Sequence, residues 1–86
     1  MNEFESLVES IKEQFPRVKL HIDEPAKQSS GHWLDVCLGD TYVTIEWRPN
    51  QGFGFFAKDA EYGEGPEEII LDKDGALKRV SVLLTP

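Results

Sequence analysis

The sequence predicts an α+β fold in which a four-stranded antiparallel meander carries two helices on one face, in the order α-β-β-β-β-α. Three observations predict this fold class: a helical hydrophobic stripe near the start of the chain, apolar–polar alternation through its middle, and a second helical stripe near its end. Because 86 residues have room for one hydrophobic core, we expect a single domain over residues 1–86. The helices would cover one sheet face and leave the other in solvent.

The first helix is predicted over residues 3–15, because the apolar side chains recur there at intervals of three and four residues. Asn2 is a suitable N-cap, with Glu5 as its capping-box partner. Pro16 ends the helix, since it disfavours the helical conformation of the preceding residue. The apolar stripe consists of Phe4, Leu7, Val8, Ile11 and Phe15.

Residues 17–23 alternate between apolar and polar side chains, which predicts a half-buried strand. One side of this strand carries Val18, Leu20 and Ile22, and the other carries Lys19, His21 and Asp23. Residues 24–31 follow with the composition of a loop.

A two-residue turn at Gly39-Asp40 predicts a hairpin between strands 33–38 and 41–47. One face then pairs Leu38 with Thr41, Val36 with Val43, and Leu34 with Ile45; the other pairs Cys37 with Tyr42, Asp35 with Thr44, and Trp33 with Glu46. A shift by one residue would expose the apolar set of one strand, so the hydrophobic pattern and the turn length support the same register.

The fourth strand, residues 53–57, follows a turn at 49–52, and the pattern leaves two registers open. A four-residue loop would direct Phe56 into the core, whereas a three-residue loop with a bulge would direct Phe53 and Phe55 inward. We favour the second register, because it buries two rings instead of one.

The last part of the chain is predicted as a polar loop over residues 58–68, a return of Ile69–Leu71 to the core, and a helix that Asp72 caps and that ends at Leu84. A single broken helix from Pro66 onward is the alternative. The apolar stripe of the helix would be Ala76, Leu77, Val80, Leu83 and Leu84.

The chain is acidic, with sixteen Asp and Glu against nine Lys and Arg, and a net charge of −7. Residues 59–74 contain seven of the acids and Lys73 as their one basic residue. Because lysine and arginine supply most of the affinity for phosphates, nucleic-acid binding is disfavoured. The helix–sheet–helix outline is similar to that of double-stranded-RNA binders, but the last helix here begins with Asp72-Lys73-Asp74 instead of a basic cluster. An acidic surface favours a basic protein partner.

The single cysteine, Cys37, and the lack of a long apolar run indicate a cytoplasmic protein that does not enter a membrane. Cys37 with His21 lacks a third group for nucleophilic catalysis. His32 and Asp35 would supply only two metal ligands, and the segment 72–75 lacks the later ligands of a calcium loop. We therefore predict no catalytic residues, no cofactor and no metal.

The solvent face of the sheet is the candidate interaction surface, because tryptophan and tyrosine there combine apolar area with a polar group. The alternatives are that the loop 24–32 or a second copy covers this face, or that its cross-strand pairs only stabilise the sheet. A homodimer is compatible with the sequence. The candidate residues are His21, Trp33, Asp35, Tyr42, Thr44 and Glu46 on the sheet, and Glu61, Tyr62 and Glu64 in the polar loop.

Four segments resemble a group of short, uncharacterised bacterial proteins. They are 33–36, 43–49, 52–54 and 62–68, which read Trp-Leu-Asp-Val, Val-Thr-Ile-Glu-Trp-Arg-Pro, Gly-Phe-Gly and Tyr-Gly-Glu-Gly-Pro-Glu-Glu. The group has the same order of segments, with aspartate where this chain has Glu67. The resemblance implies a bacterial, cytoplasmic protein of unassigned function whose relatives often accompany helix-turn-helix regulators of the toxin–antitoxin type. It brings no catalytic residues.

Taken together, these features predict a non-enzymatic protein-interaction or regulatory module. One form of this function is an antidote or immunity protein that inhibits a basic toxin, since an acidic protein associates quickly with a basic target and can mask it. A nucleic-acid-binding module is the less favoured alternative. A small-ligand binder or enzyme would need a pocket, for which two helices on a short sheet leave little room.

Overall fold

A five-stranded antiparallel sheet carries the two helices in the computed structural model, which describes residues 2–24, 31–56 and 65–85. The strands are neighbours in chain order, from β1 at one edge to β5 at the other. The α+β class, with a helix first and last, is confirmed, and the prediction of four strands is wrong by one. The elements are α1 (Glu3–Gln14), β1 (Lys19–Asp23), β2 (His32–Leu38), β3 (Thr41–Arg48), β4 (Gly52–Phe56), β5 (Glu68–Ile70) and α2 (Lys73–Leu84).

The additional strand, β5, pairs antiparallel with β4 and places Ile70 opposite Phe53. Ile70 packs against the core, whereas Ile69 and Leu71 are 58% and 76% exposed. The expected return of Ile69–Leu71 to the core is therefore wrong for the first and last of these residues, because successive side chains of a strand point to opposite faces. The alternative of a broken helix from Pro66 is also wrong, since residues 68–70 are extended.

The central hairpin has the predicted register, and all six predicted pairs of β2 and β3 are present. Strand β2 begins one residue earlier than predicted, so that His32 lies opposite Trp47. Gly39 has a φ of +62°, the left-handed conformation that a two-residue hairpin turn requires and that glycine adopts without steric penalty.

The connection between β3 and β4 spans residues 49–51. Asn50 takes the left-handed conformation in this loop, with a φ of +66°. The short loop sets the register in which Phe53 and Phe55 point toward the helices, and both rings are buried. The predicted preference for two buried rings is confirmed.

Both helices begin at the predicted N-caps and pack on one sheet face. Asn2 Oδ1 accepts a hydrogen bond from the Glu5 amide at 2.8 Å, and Asp72 Oδ1 accepts one from the Gly75 amide at 2.6 Å. The buried core combines α1 (Phe4, Leu7, Val8, Ile11), α2 (Ala76, Val80, Leu84) and the sheet (Leu34, Val36, Val43, Ile45, Trp47, Phe53, Phe55). We call the sheet surface beneath the helices the helix face.

Candidate functional site

The side chains of β1 to β4 that point away from the helices form a second surface, which we call the outer face. Strand alternation places them there, because each lies between two residues of the helix face. One cross-strand row contains His21, Asp35, Thr44 and Phe56, and the rows beside it contribute Trp33, Tyr42 and Glu46. The fold thus brings together all six sheet residues that the sequence predicts as an interaction surface.

Two aromatic side chains of the outer face are open to solvent, with Trp33 37% and Tyr42 47% exposed. Trp33 on β2 also contacts Phe56 on β4, with ring centroids 5.2 Å apart. The two rings meet above β3, which lies between their strands. Sequence reasoning did not include Phe56 in the site, although its outward direction follows from the inward directions of Phe53 and Phe55.

Beside these rings, hydrogen bonds hold the polar side chains of β2 and β3. The Thr44 hydroxyl donates to Asp35 Oδ1 at 3.1 Å. Desolvation raises the pKa of the Tyr42 phenol, and the hydrogen bonding and negative charge of Asp35 raise it further. At neutral pH the phenol is protonated in any case, because its ordinary pKa is 10.0, so it can donate a hydrogen bond.

The Glu46 carboxylate is less available than its position on the outer face suggests. Its side chain is 13% exposed and accepts a hydrogen bond from Arg48 Nε at 3.1 Å. It also packs against the backbone of Gly31, where a Cβ atom would collide with the carboxylate. Glu46 thus stabilises the end of the β2–β3 hairpin and contributes little free charge to the surface.

Near β5 the outer face is closed. Gly54 lies on this face, and a Cβ atom at that position would be 2.9 Å from Pro66 Cβ. Only glycine therefore lets the segment that leads into β5 cross so close to β4. The open part of the surface extends from β1 to β3 and includes the ring of Phe56.

At the end of the sheet where β3 begins and β4 ends, a cleft of about 370 Å³ lies between the strands and α2. Its lining includes Tyr42 and Phe56 of the outer face, the acidic residues Glu67 and Glu68, and Arg79 of α2. Arg79 Nε lies 2.9 Å from Glu68 Oε1, as an ion pair without the alignment of a hydrogen bond. Because Arg79 offsets Glu68, Glu67 leaves one unbalanced negative charge in the cleft that Tyr42 and Phe56 also line.

His32 belongs to the opposite side of the sheet, where it is 3% exposed. Its ring packs between Phe4 and Trp47, at centroid distances of 5.3 and 5.0 Å, and neither ring nitrogen has a hydrogen-bond partner among the described residues. His32 and Asp35 point to opposite faces, so they do not converge on one metal ion. In the described part of the chain, no three His, Cys, Asp or Glu side chains form such a cluster.

Cys37 lies on the outer face opposite Tyr42, with Sγ 3.7 Å from the Gly39 carbonyl oxygen. The predicted loop candidates Glu61, Tyr62 and Glu64 lie outside the described residues. Neither α1 nor α2 has the length and apolar character of a membrane-spanning helix.

Comparison of the chain with protein-family models, with curated proteins and with solved structures found no match. The resemblance to short bacterial proteins stays a prediction. The geometry of the outer face is therefore the basis on which a function is inferred.

Proposed function

We propose that this chain is a non-enzymatic protein-interaction module that binds a basic protein partner through its outer face. The observation that carries the proposal is the exposure of Trp33 and Tyr42 on a sheet face that the two helices do not cover. Single exposed apolar side chains are common on soluble proteins, but neighbouring ones that form a patch mark interaction sites, and here Phe56 contacts Trp33 and lines the same cleft as Tyr42.

The chemistry of these residues supports a protein partner. Tryptophan and tyrosine are enriched among the residues that dominate binding energy at protein interfaces, because they bury large rigid surfaces and keep a polar group. Trp33 is already held by its contact with Phe56. Ordering before association reduces the entropy that binding removes.

The charge supports a basic partner. The chain carries a net charge of −7, and Glu67 lines the cleft that Tyr42 also lines. Complementary charge accelerates association and disfavours acidic competitors. The same charge disfavours nucleic acid, because phosphate binding depends on lysine and arginine.

The regulatory form of this function is an antidote that masks a basic toxin, in keeping with the genomic neighbours that the resemblance implies. An inhibitor of this kind needs no chemistry of its own. Aromatic anchors together with an acidic rim are sufficient to occlude a basic active surface. We further propose that this interaction takes place in the cytoplasm.

A photo-crosslinking experiment tests the proposal. A benzoylphenylalanine residue replaces Tyr42 in one variant and Val82 in a control variant, since Val82 is 56% exposed on α2 in the helix layer. Both variants are expressed in the native host, and the lysates are irradiated at low salt and at about 0.5 M salt, where charges are screened within a few ångströms. We expect position 42 to capture a basic protein at low salt and no protein at the higher salt.

The Trp33→Ala substitution makes the test specific to the outer face. We expect the adduct at position 42 to disappear in this background, while adducts at position 82 do not change. Adducts that are the same at both positions, or that survive Trp33→Ala, would overturn the proposed interface. Capture of nucleic acid at position 42 would overturn the choice of partner.

A further inference from the structure

We propose that two copies of this chain associate through the outer edge of β1, which pairs antiparallel with β1 of the second copy and joins the two sheets. This association does not depend on the partner proposed above. It concerns the edge of the sheet, whereas the proposed partner binds to its outer face.

The first argument is the position of β1 in the sheet. It is the terminal strand, and among the described residues it pairs with β2 alone. In an antiparallel pair, about half of a strand's backbone N–H and C=O groups point away from its neighbour. Along β1 these groups face outward and can form a ladder with another strand.

The opposite edge of the sheet is protected in ways that β1 is not. Strand β5 has only three residues, and Glu68 points toward the helices to meet Arg79. Short length and an inward-pointing charge are devices that block edge-to-edge pairing. Strand β1 has five residues, carries its charged side chains on the outer face, and pairs with β2 without a bulge.

The sequence of β1 is complementary to itself in the antiparallel direction. When two copies pair about His21, Lys19 of each lies opposite Asp23 of the other on the outer face. Each dimer therefore gains two cross-strand pairs of opposite charge. A parallel arrangement in register would place lysine beside lysine and aspartate beside aspartate, so the charges select the antiparallel one.

The apolar residues of β1 fit the same register. Leu20 of each copy lies opposite Ile22 of the other, one such pair on each side of the two-fold axis that passes between the two His21 residues. Both residues are on the helix face, where Leu20 packs against the core and Ile22 is 40% exposed. The pairing would cover the exposed part of Ile22, and all five residues of β1 take part in the ladder.

The size of this contact indicates a weak dimer. Five residues of a strand span about 17 Å, and such an edge buries less than the area of a standard interface. Two copies with a net charge of −7 also repel each other. We therefore expect the dimer to form at high protein concentration and at an ionic strength that screens this repulsion.

Sedimentation at protein concentrations from about 10 µM to about 1 mM, in about 0.15 M salt, measures the association. We expect Asp23→Lys and Lys19→Asp each to weaken self-association by about tenfold or more, because each replaces two attractive pairs with two repulsive ones. Glu9→Lys on the exposed face of α1 is the control for Asp23→Lys, since it changes the net charge equally.

Mixing the two variants provides the decisive outcome. Asp23→Lys has lysine at both positions 19 and 23, and Lys19→Asp has aspartate at both. Each variant is therefore expected to be monomeric alone, and the two are expected to form a heterodimer when mixed. Circular dichroism checks that both are folded. Hydrogen exchange should show slower exchange at alternate amides of residues 19–23 as the concentration of the native chain rises.

Three results would overturn the proposal. The first is that the native chain stays monomeric up to the highest concentration. The second is that the mixture of Asp23→Lys and Lys19→Asp associates no more strongly than either variant alone. The third is that Glu9→Lys weakens the dimer as much as Asp23→Lys does. None of these results affects the crosslinking test at position 42, so either proposal can be wrong without the other.

Discussion

The two faces of the sheet use the same kinds of residue for different purposes. Trp47 on the helix face is 7% exposed and packs among Phe4, Phe53 and His32, whereas Trp33 on the outer face is 37% exposed and contacts Phe56. The residues are on neighbouring strands and only one cross-strand row apart. The difference shows that the helices, and not the residue type, determine whether a ring stabilises the fold or remains available for binding.

The largest expected effect comes from this matched pair of tryptophans. Trp47→Ala should lower the free energy of unfolding by about 3–5 kcal/mol, because it removes a buried ring and leaves a cavity in the core. Trp33→Ala should lower it by about 1 kcal/mol, the order of one half-exposed aromatic pair. Urea denaturation of both variants measures the difference, and similar losses would show that the two faces are equally buried.

A smaller effect is expected where the outer face is closed. Gly54→Ala should destabilise the protein by about 1–3 kcal/mol, because the added methyl group would press against Pro66 and displace the segment leading to β5. Gly65→Ala is the control, since a Cβ atom there meets no atom within 4 Å. Equal effects of the two substitutions on urea denaturation would show that Pro66 does not lie as close to Gly54 as the structure has it.

The polar contact at the centre of the outer face should contribute less. Thr44→Val keeps the shape of the side chain but removes the hydroxyl that donates to Asp35, and should cost about 1 kcal/mol. The double-mutant cycle with Asp35→Asn isolates the interaction. Additive effects of the two substitutions would show that the hydrogen bond does not contribute to stability.

The smallest effect concerns alkaline pH. The pKa of Tyr42 is raised above its ordinary value of 10.0, so the folded chain holds a proton that the unfolded chain releases. This contribution to stability is present below about pH 10 and is lost as the pH rises through the folded-state pKa. The native chain should therefore lose stability more steeply than Tyr42→Phe above pH 10; parallel profiles from urea denaturation would contradict the raised pKa of Tyr42.

The sequence predicts the parts of the fold in which independent local signals agree. In the central hairpin, the turn at Gly39-Asp40 and the alternation of both strands specify one register, and the structure has that register. The caps at Asn2 and Asp72 could be predicted for a similar reason, since each combines a suitable side chain with the start of an apolar stripe.

The parts that the sequence does not predict depend on contacts between distant segments. Strand β5 has only three residues. Ile69 is exposed and Ile70 is half-buried, but because both are isoleucine the sequence does not reveal this alternation. Pairing with β4, and the close contact of Pro66 with Gly54, create this strand. In the sequence, Gly54 stands between two phenylalanines, and nothing in that pattern indicates a contact with a residue twelve positions later.

The same distinction applies to the candidate site. Alternation alone assigns His21, Trp33, Asp35, Tyr42, Thr44 and Glu46 to one face. It does not show that Arg48 and the backbone of Gly31 enclose the Glu46 carboxylate, or that the cleft adds Glu67 to the same region. Those features depend on side-chain conformation and on the position of α2.

The most direct test of the central claim is quenching of tryptophan fluorescence by acrylamide in two single-tryptophan variants. In Trp47→Phe the remaining Trp33 reports the outer face, and in Trp33→Phe the remaining Trp47 reports the helix face. We predict strong quenching of Trp33 and weak quenching of Trp47, since their exposed fractions are 37% and 7%. Equal, weak quenching of both would mean that the outer face is covered, and would contradict its proposed role as a binding surface.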